Sequence, residues 1–200
     1  MGACSSIAGG EYHTIGLRID GGVRCWGNNN YGQCDIPTDL GTCLSVAGGY
    51  GHTIALRSDG DVRCWGLNDI GQCDTPADLG ACSSVAGGRF HSYALRTDGG
   101  VRCWGYDGSG QCSPPADLGP CSSIAGGGYH TIAIERPCPS CRADLNGHCR
   151  VDGADLGILI NQWGGCPAGT TGCTGDINGD GDVNGADLGS LLNAWGPCPN

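Results

Sequence analysis

Apolar residues along this chain of 200 residues follow two rhythms. Through residue 136 they sit in short runs bounded by Gly or Asp-Gly. In His52–Arg57, Ile54 and Leu56 alternate with Thr53 and Ala55, as in a strand buried on one or both faces. The runs at 45–49 and 61–66 are equally β-prone, and Ser58–Asp61 predicts a hairpin turn, because glycine tolerates the positive φ needed there. The stretch Asp74–Gly80 predicts a surface loop. Each unit is therefore expected to be a small antiparallel sheet. Past residue 150 the spacing lengthens to a helical one: Leu156, Leu159, Ile160 and Trp163 share one face, and Leu188, Leu191, Leu192 and Trp195 repeat it. Gly164 and Gly196 are expected to stop these helices, and both stripes are expected in the core. No apolar run approaches the roughly 20 residues of a membrane helix.

The strand pattern is periodic. Cys4, Cys43, Cys82 and Cys121 are 39 residues apart, as are His13, His52, His91 and His130 and the Cys-Trp-Gly triplets at Cys25, Cys64 and Cys103. Gly-Gln-Cys recurs at Gly32, Gly71 and Gly110. A period near 40 with Trp-Gly punctuation marks a repeated supersecondary unit, and a small sheet per repeat suits a propeller blade. Residues 1–136 hold three full repeats and one half. A Pro/Cys linker at 137–143 follows, and then a second repeat within 144–200, offset by 32, in which residues 141–167 align with 173–199.

Composition narrows the function. With 20 acidic and 10 basic residues the formal charge is −10, which argues against a nucleic-acid partner. Every basic residue is Arg, so no lysine is available for a Schiff base or a phosphate loop. Sixteen Cys in 200 residues favour a compartment outside the cytosol, yet no signal peptide follows Met1. The expectation is a chain that lacks its N-terminal part; the alternative is a short chain that self-associates into a ring.

Residues 47–73 (AGGYGHTIALRSDGDVRCWGLNDIGQC) closely resemble the repeat of the regulator of chromosome condensation family. The short linker DTPADLGAC looks more like the compact version in secreted bacterial propellers. The resemblance covers residues 4 to about 136 and implies blades of a seven-bladed β-propeller, so the expected fold is mainly β: a partial propeller followed by a small α domain.

In that second domain Asp176, Asn178, Asp180, Asp182, Asn184 and Asp187 occupy positions 1, 3, 5, 7, 9 and 12 of a calcium loop. Odd spacing turns successive oxygens toward one centre, position 7 gives its backbone carbonyl, and Gly181 permits the bend at position 6. Val183 at position 8 is expected to pair with its twin in the first loop. Position 12 is Asp, not the Glu of ordinary EF-hands, and the paired loop-helix plan resembles a dockerin. The first loop places Asp144, Asn146, Asp152 and Asp155 in register with Arg150 at position 7, but it has His148 at position 5 and Cys149 in place of the bend glycine. Imidazole is a poor ligand for a hard cation, so weaker calcium is expected there. The resemblance implies a cohesin-like or other extracellular protein partner. The hydroxyl pair that often reads cohesin is replaced by Gly153-Ala154 and Gly185-Ala186.

Cysteine pairing has two solutions in the repeats: Cys34–Cys43, Cys73–Cys82 and Cys112–Cys121, which would staple adjacent blades, or Cys25–Cys34 and its equivalents within a blade. In the second domain symmetry offers Cys141–Cys198, Cys166–Cys173 and Cys138–Cys149. Zinc at Cys138, Cys141, His148 and Cys149 is disfavoured, because that set overlaps a calcium loop and the other three Cys of the domain need partners too. The periodic His residues lack any partner nucleophile and are expected to fix their blades by hydrogen bonds. Arg18/Arg24, Arg57/Arg63 and Arg96/Arg102 are expected to face nearby Asp at the hairpin turns. The expected function is a non-enzymatic extracellular binding or scaffolding protein, with a propeller face for protein or glycan and a calcium-binding tail. An accessory role in a polysaccharide-degrading complex is the alternative, and guanine-nucleotide exchange is disfavoured by the acidic, Cys-rich chain.

Overall fold

The computed structural model describes residues 3–136, 141–147, 149–166 and 173–198. They divide into two compact units, Met1–Glu135 and Arg136–Asn200. In the first unit every full repeat is a three-stranded antiparallel sheet. These are β1 (Cys4–Gly9), β2 (His13–Arg18) and β3 (Val23–Gly27); β4 (Cys43–Gly48), β5 (His52–Arg57) and β6 (Val62–Gly66); and β7 (Cys82–Gly87), β8 (His91–Arg96) and β9 (Val101–Gly105). The half repeat gives β10 (Cys121–Gly126) and β11 (Thr131–Glu135).

The alternation on β5 serves two interfaces. Ile54 and Leu56 pack in one cluster with Val85 and Trp104, while Ala55 packs in another with Ile15 and Trp65. Both faces are therefore covered, and each large aliphatic side chain removed from water contributes about 1.5–3 kcal/mol. The turn that follows is built as the sequence predicts: Gly60 has φ +87° and donates to the Arg57 carbonyl at 3.0 Å.

Sheets are also tied by a repeated polar relay. The Gln33 carbonyl accepts from Thr53 Oγ1 at 2.8 Å and from Trp65 Nε1 at 3.0 Å. Since Thr53 donates its one hydroxyl proton to Gln33, its oxygen accepts from His13 Nε2 at 3.0 Å. His52, Ser92 and Gln72 repeat this at 3.0 and 2.7 Å. Each of these His thus reaches the next sheet and does not merely brace its own. Glycine makes room for the ring: a Cβ on Gly10 would lie 2.1 Å from the His13 imidazole. The turn arginines pair as expected, Arg18 with Asp20, Arg57 with Asp59 and Arg96 with Asp98. Arg63 and Arg102 instead reach Asp39 and Asp78 in the loop of the preceding repeat.

Disulfides close within repeats, as Cys25–Cys34, Cys64–Cys73 and Cys103–Cys112, with Cα separations of 5.0, 4.9 and 4.9 Å. This corrects the staple between blades. Buried Gln33 and Gln72 anchor their loops and turn the following Cys back over its own third strand. Cys43 and Cys82 are buried members of the apolar clusters, where burial raises their thiol pKa and disfavours the thiolate.

The second unit contains β12 (Arg150–Val151), α1 (Gly153–Asn161), β13 (Gly164–Gly165), β14 (Asp182–Val183), α2 (Gly185–Asn193) and β15 (Gly196–Pro197). The bridges cross over: β12 pairs with β15, and β13 with β14. Val183 therefore sits opposite Gly164 and not its twin Val151; the two valines meet as fully buried side chains of one cluster. The chain turns back after each helix at Gly164 (φ +121°) and Gly196 (φ +119°), which brings the post-helix residues to the opposite loop. The helical stripes are only half core. Leu159 and Leu191 are fully buried, whereas Ile160, Trp163, Leu192 and Trp195 are about half exposed. Two nine-residue helices cover only each other's inner edge, and among the described residues no third layer lies over the outer one. Cys166–Cys173 is bridged as expected.

Candidate metal centre

Each loop leads directly into its helix. Asn184 caps α2 by accepting from Ala186 N at 2.8 Å, and Asp187 closes the capping box. Asp152 and Asp155 do the same for α1. The position-12 carboxylates are thereby fixed: Asp187 is fully buried and accepts from the amides of Ile177 (2.8 Å), Asn178 (3.1 Å) and Asn184 (2.9 Å). Asp155 accepts from Leu145, Asn146 and Asp152 in the same pattern. Burial acts most strongly on Asp187 and opposes its charge, but the amide donors outweigh it and hold the carboxyl below the ordinary range.

Around Asp187 the second loop gathers oxygens. Carboxylate oxygens of Asp176, Asp180 and Asp187 lie within 4.8 Å of one another. Asp176 accepts from the amides of Gly179 and Gly181 at 2.7 and 3.0 Å, and Asn178 donates its amide to Asp180 at 2.9 Å. Gly179 (φ +81°) and Gly181 (φ +97°) wrap the backbone around this centre. Three like charges so close repel strongly unless a cation sits among them, and an all-oxygen set suits a hard divalent ion. Asp182 lies on β14 and Asn184 serves as the cap, so the structure joins Asp176, Asn178, Asp180 and Asp187 most closely.

Family models match three stretches, 4–33, 44–72 and 82–111, as the regulator of chromosome condensation (RCC1) repeat, and residues 142–194 as the dockerin type I domain. The chain carries RCC1 repeats followed by a dockerin type I domain. No curated protein sequence matches it significantly. Among solved structures it is similar to the ectodomain of the receptor kinase CR4 of Physcomitrella patens, at 29% identity and TM-score 0.57, covering 66% of this chain and 38% of that one. It also resembles Prp20p of Saccharomyces cerevisiae (18%, TM-score 0.58, 79% and 46% covered) and human WBSCR16 (20%, TM-score 0.58, 66% and 44% covered). The chain spans less than half the length of these structures. The last two, at such identity, show the fold alone.

In the first dockerin loop Asp144 accepts from the amides of Gly147 and Cys149 at 2.9 and 2.8 Å. Cys149 takes φ +70°, and among the described residues no other non-glycine has positive φ. The bend is thus kept although its glycine is lost, and Cys149 is disulfide-bonded. His148 and Cys138 lie outside the described residues, and Arg150 lies on β12. Cys141 and Cys198 are not bridged. Burial first, then a hydrogen bond to Cys141 and the charges of Asp144 and Asp155, push the Cys198 thiol up to about 12, which keeps it from the thiolate form that exchange requires. Sequence reasoning missed the buried relay of Gln33 and Gln72. Their recurrence in Gly-Gln-Cys was the available signal.

Proposed function

We propose that this protein is an extracellular, non-enzymatic binding and docking protein whose dockerin domain folds around calcium. RCC1 repeats and dockerins are typically modules of interaction, not catalysis. The observation that carries the reading is the convergence of Asp176, Asp180 and Asp187 within a loop of calcium-binding register. In the second loop, side-chain oxygens of Asp176, Asn178, Asp180 and Asp187, with the Asp182 carbonyl, would hold the ion. Asp144, Asn146, Asp152 and Asp155 would form the first site with His148 and Arg150 at positions 5 and 7. Calcium there neutralises the carboxylates and locks the helices that face a cohesin-like partner. Three intrablade disulfides support a location outside the cytosol.

Calcium at 100 times its dissociation constant adds about 2.7 kcal/mol to the stability of the domain it binds. Thermal melts of the full chain should therefore show a calcium-dependent rise, reversed by chelator and reduced by Asp180→Asn. Melts that ignore calcium would sink the reading. Capture of the chain by immobilised cohesin modules, lost on chelation, tests the docking half.

A further inference from the structure

The two complete junctions of the propeller unit show what the third lacks. In the first, Trp65 of β6 enters a slot lined by Val23, Cys25, Leu40 and Ala55, and its indole donates to the Gln33 carbonyl. In the second, Trp104 of β9 fills the slot formed by the next copies of these residues, Val62, Cys64, Leu79 and Ala94. An arginine two positions before each Trp reaches back to the loop aspartate of the preceding repeat, Arg63 to Asp39 and Arg102 to Asp78. The third set is Val101, Cys103, Leu118 and Ala133, and it lines an open cleft of about 350 Å³. Val62, Leu79 and Ala94 are buried, but Val101, Leu118 and Ala133 are only partly so. The Gln111 carbonyl has its Thr131 donor at 2.8 Å, and among the described residues no Trp side chain fills the slot beside it, as Trp65 and Trp104 fill theirs. Among the described residues no cation pairs with Asp117, the counterpart of Asp39 and Asp78, and β11 has β10 as its one sheet neighbour.

We propose that this corner is a receptor for an added β-strand of Val-Arg-Cys-Trp-Gly type, which completes the fourth blade along the free edge of β11. The chain's own three such strands, β3, β6 and β9, are each committed to a sheet, so the occupant is a fourth copy from repeat sequence outside them. Its register follows from the complete blades. Thr53 faces Trp65, Ile54 faces Cys64 and Ala55 faces Arg63, so Thr131 would face the incoming Trp, Ile132 the Cys and Ala133 the Arg. Main-chain bonds along the edge give affinity. The indole in its slot and the Arg on Asp117 give the register, because a one-residue slip would turn both to the opposite face. This site is independent of the calcium loops.

The probe is a capped peptide, Gly-Asp-Val-Arg-Cys-Trp-Gly-Leu, titrated into the full chain under calorimetric or fluorescence detection. Saturable binding at one equivalent is expected, weakened at least tenfold by Trp→Ala in the peptide and several-fold by Asp117→Arg in the protein. Exposed Ile132 replaced by Cys should form a mixed disulfide with the peptide, since opposed strand residues lie within bridging distance, whereas Ile134→Cys should not. Peptide mapping identifies the joined residues. Absence of binding, equal binding of the Trp→Ala peptide, or cross-linking at 134 in place of 132 overturns the proposal. A concentration-dependent dimer that the peptide fails to disperse would assign the corner to a second copy and overturn the choice of occupant.

Discussion

At the scale of single residues, the periodic histidines set how the propeller unit responds to acid. His52 is fully buried between neighbouring blades. Burial first, then the charges of His13 and His91, lower its pKa to about 4; burial also lowers those of His13 and His91. In the unfolded chain a histidine titrates near 6.5. As pH falls from about 6.5 toward 4, the unfolded state takes up protons that the folded state refuses, so stability is lost across that window. Each such group contributes a slope of at most about 1.4 kcal/mol per pH unit. Denaturant melts between pH 7 and 4.5 should show this loss, and His52→Gln should flatten it. An unchanged slope in the variant would place the acid sensitivity elsewhere. Periodicity made a hydrogen-bonding role of the histidines readable in the sequence, but not its direction. Only the Thr53 and Ser92 hydroxyls, 40 residues away in the next sheet, show that the ring bridges blades.

Among elements, the helices of the dockerin domain separate two kinds of apolar residue that look alike in sequence. Leu191→Ala should destabilise the domain by about 2–5 kcal/mol, since it opens a cavity in a packed core. Trp195→Ser, at a half-exposed position, should cost far less while lowering surface hydrophobicity. Calcium-saturated melts of both variants check the contrast, and equal losses would contradict the exposure of the stripe. A helical repeat tells which side chains share a face but not how wide the covering layer is, so Trp163 and Trp195 read as core. The cysteines were undecidable for a different reason. Cys25–Cys34 and Cys34–Cys43 are both nine residues apart, so loop closure favours neither, and the burial of Gln33 decides. By contrast, the strands around Ile54 and Leu56 and the approach of Asp176, Asp180 and Asp187 to one another were legible, because their chemistry is local and periodic. The crossing of β12 with β15 and β13 with β14 was not, since it depends on contacts between halves.

For the molecule as a whole, the propeller unit behaves as a row of nearly identical parts, its first three sheets joined at each junction by a His–hydroxyl–carbonyl relay and a buried Trp. Stability in such arrays is a sum of repeat and nearest-neighbour contributions. The sheet of β4, β5 and β6 has neighbours on both faces, whereas β10 and β11 lean on a single partner. His13, His52 and His91 are buried, but His130 is exposed, as are Ile132 and Ile134. Hydrogen exchange followed by mass spectrometry should therefore find the fastest amide turnover in β11 and the slowest in β5; uniform protection across the sheets would contradict this order. An incoming strand at the free edge should slow exchange in β11 first and leave β5 almost untouched. The relay between blades thus has a kinetic meaning as well as a structural one. It makes each sheet the chock for the next, so the array erodes from its margin inward, one sheet at a time.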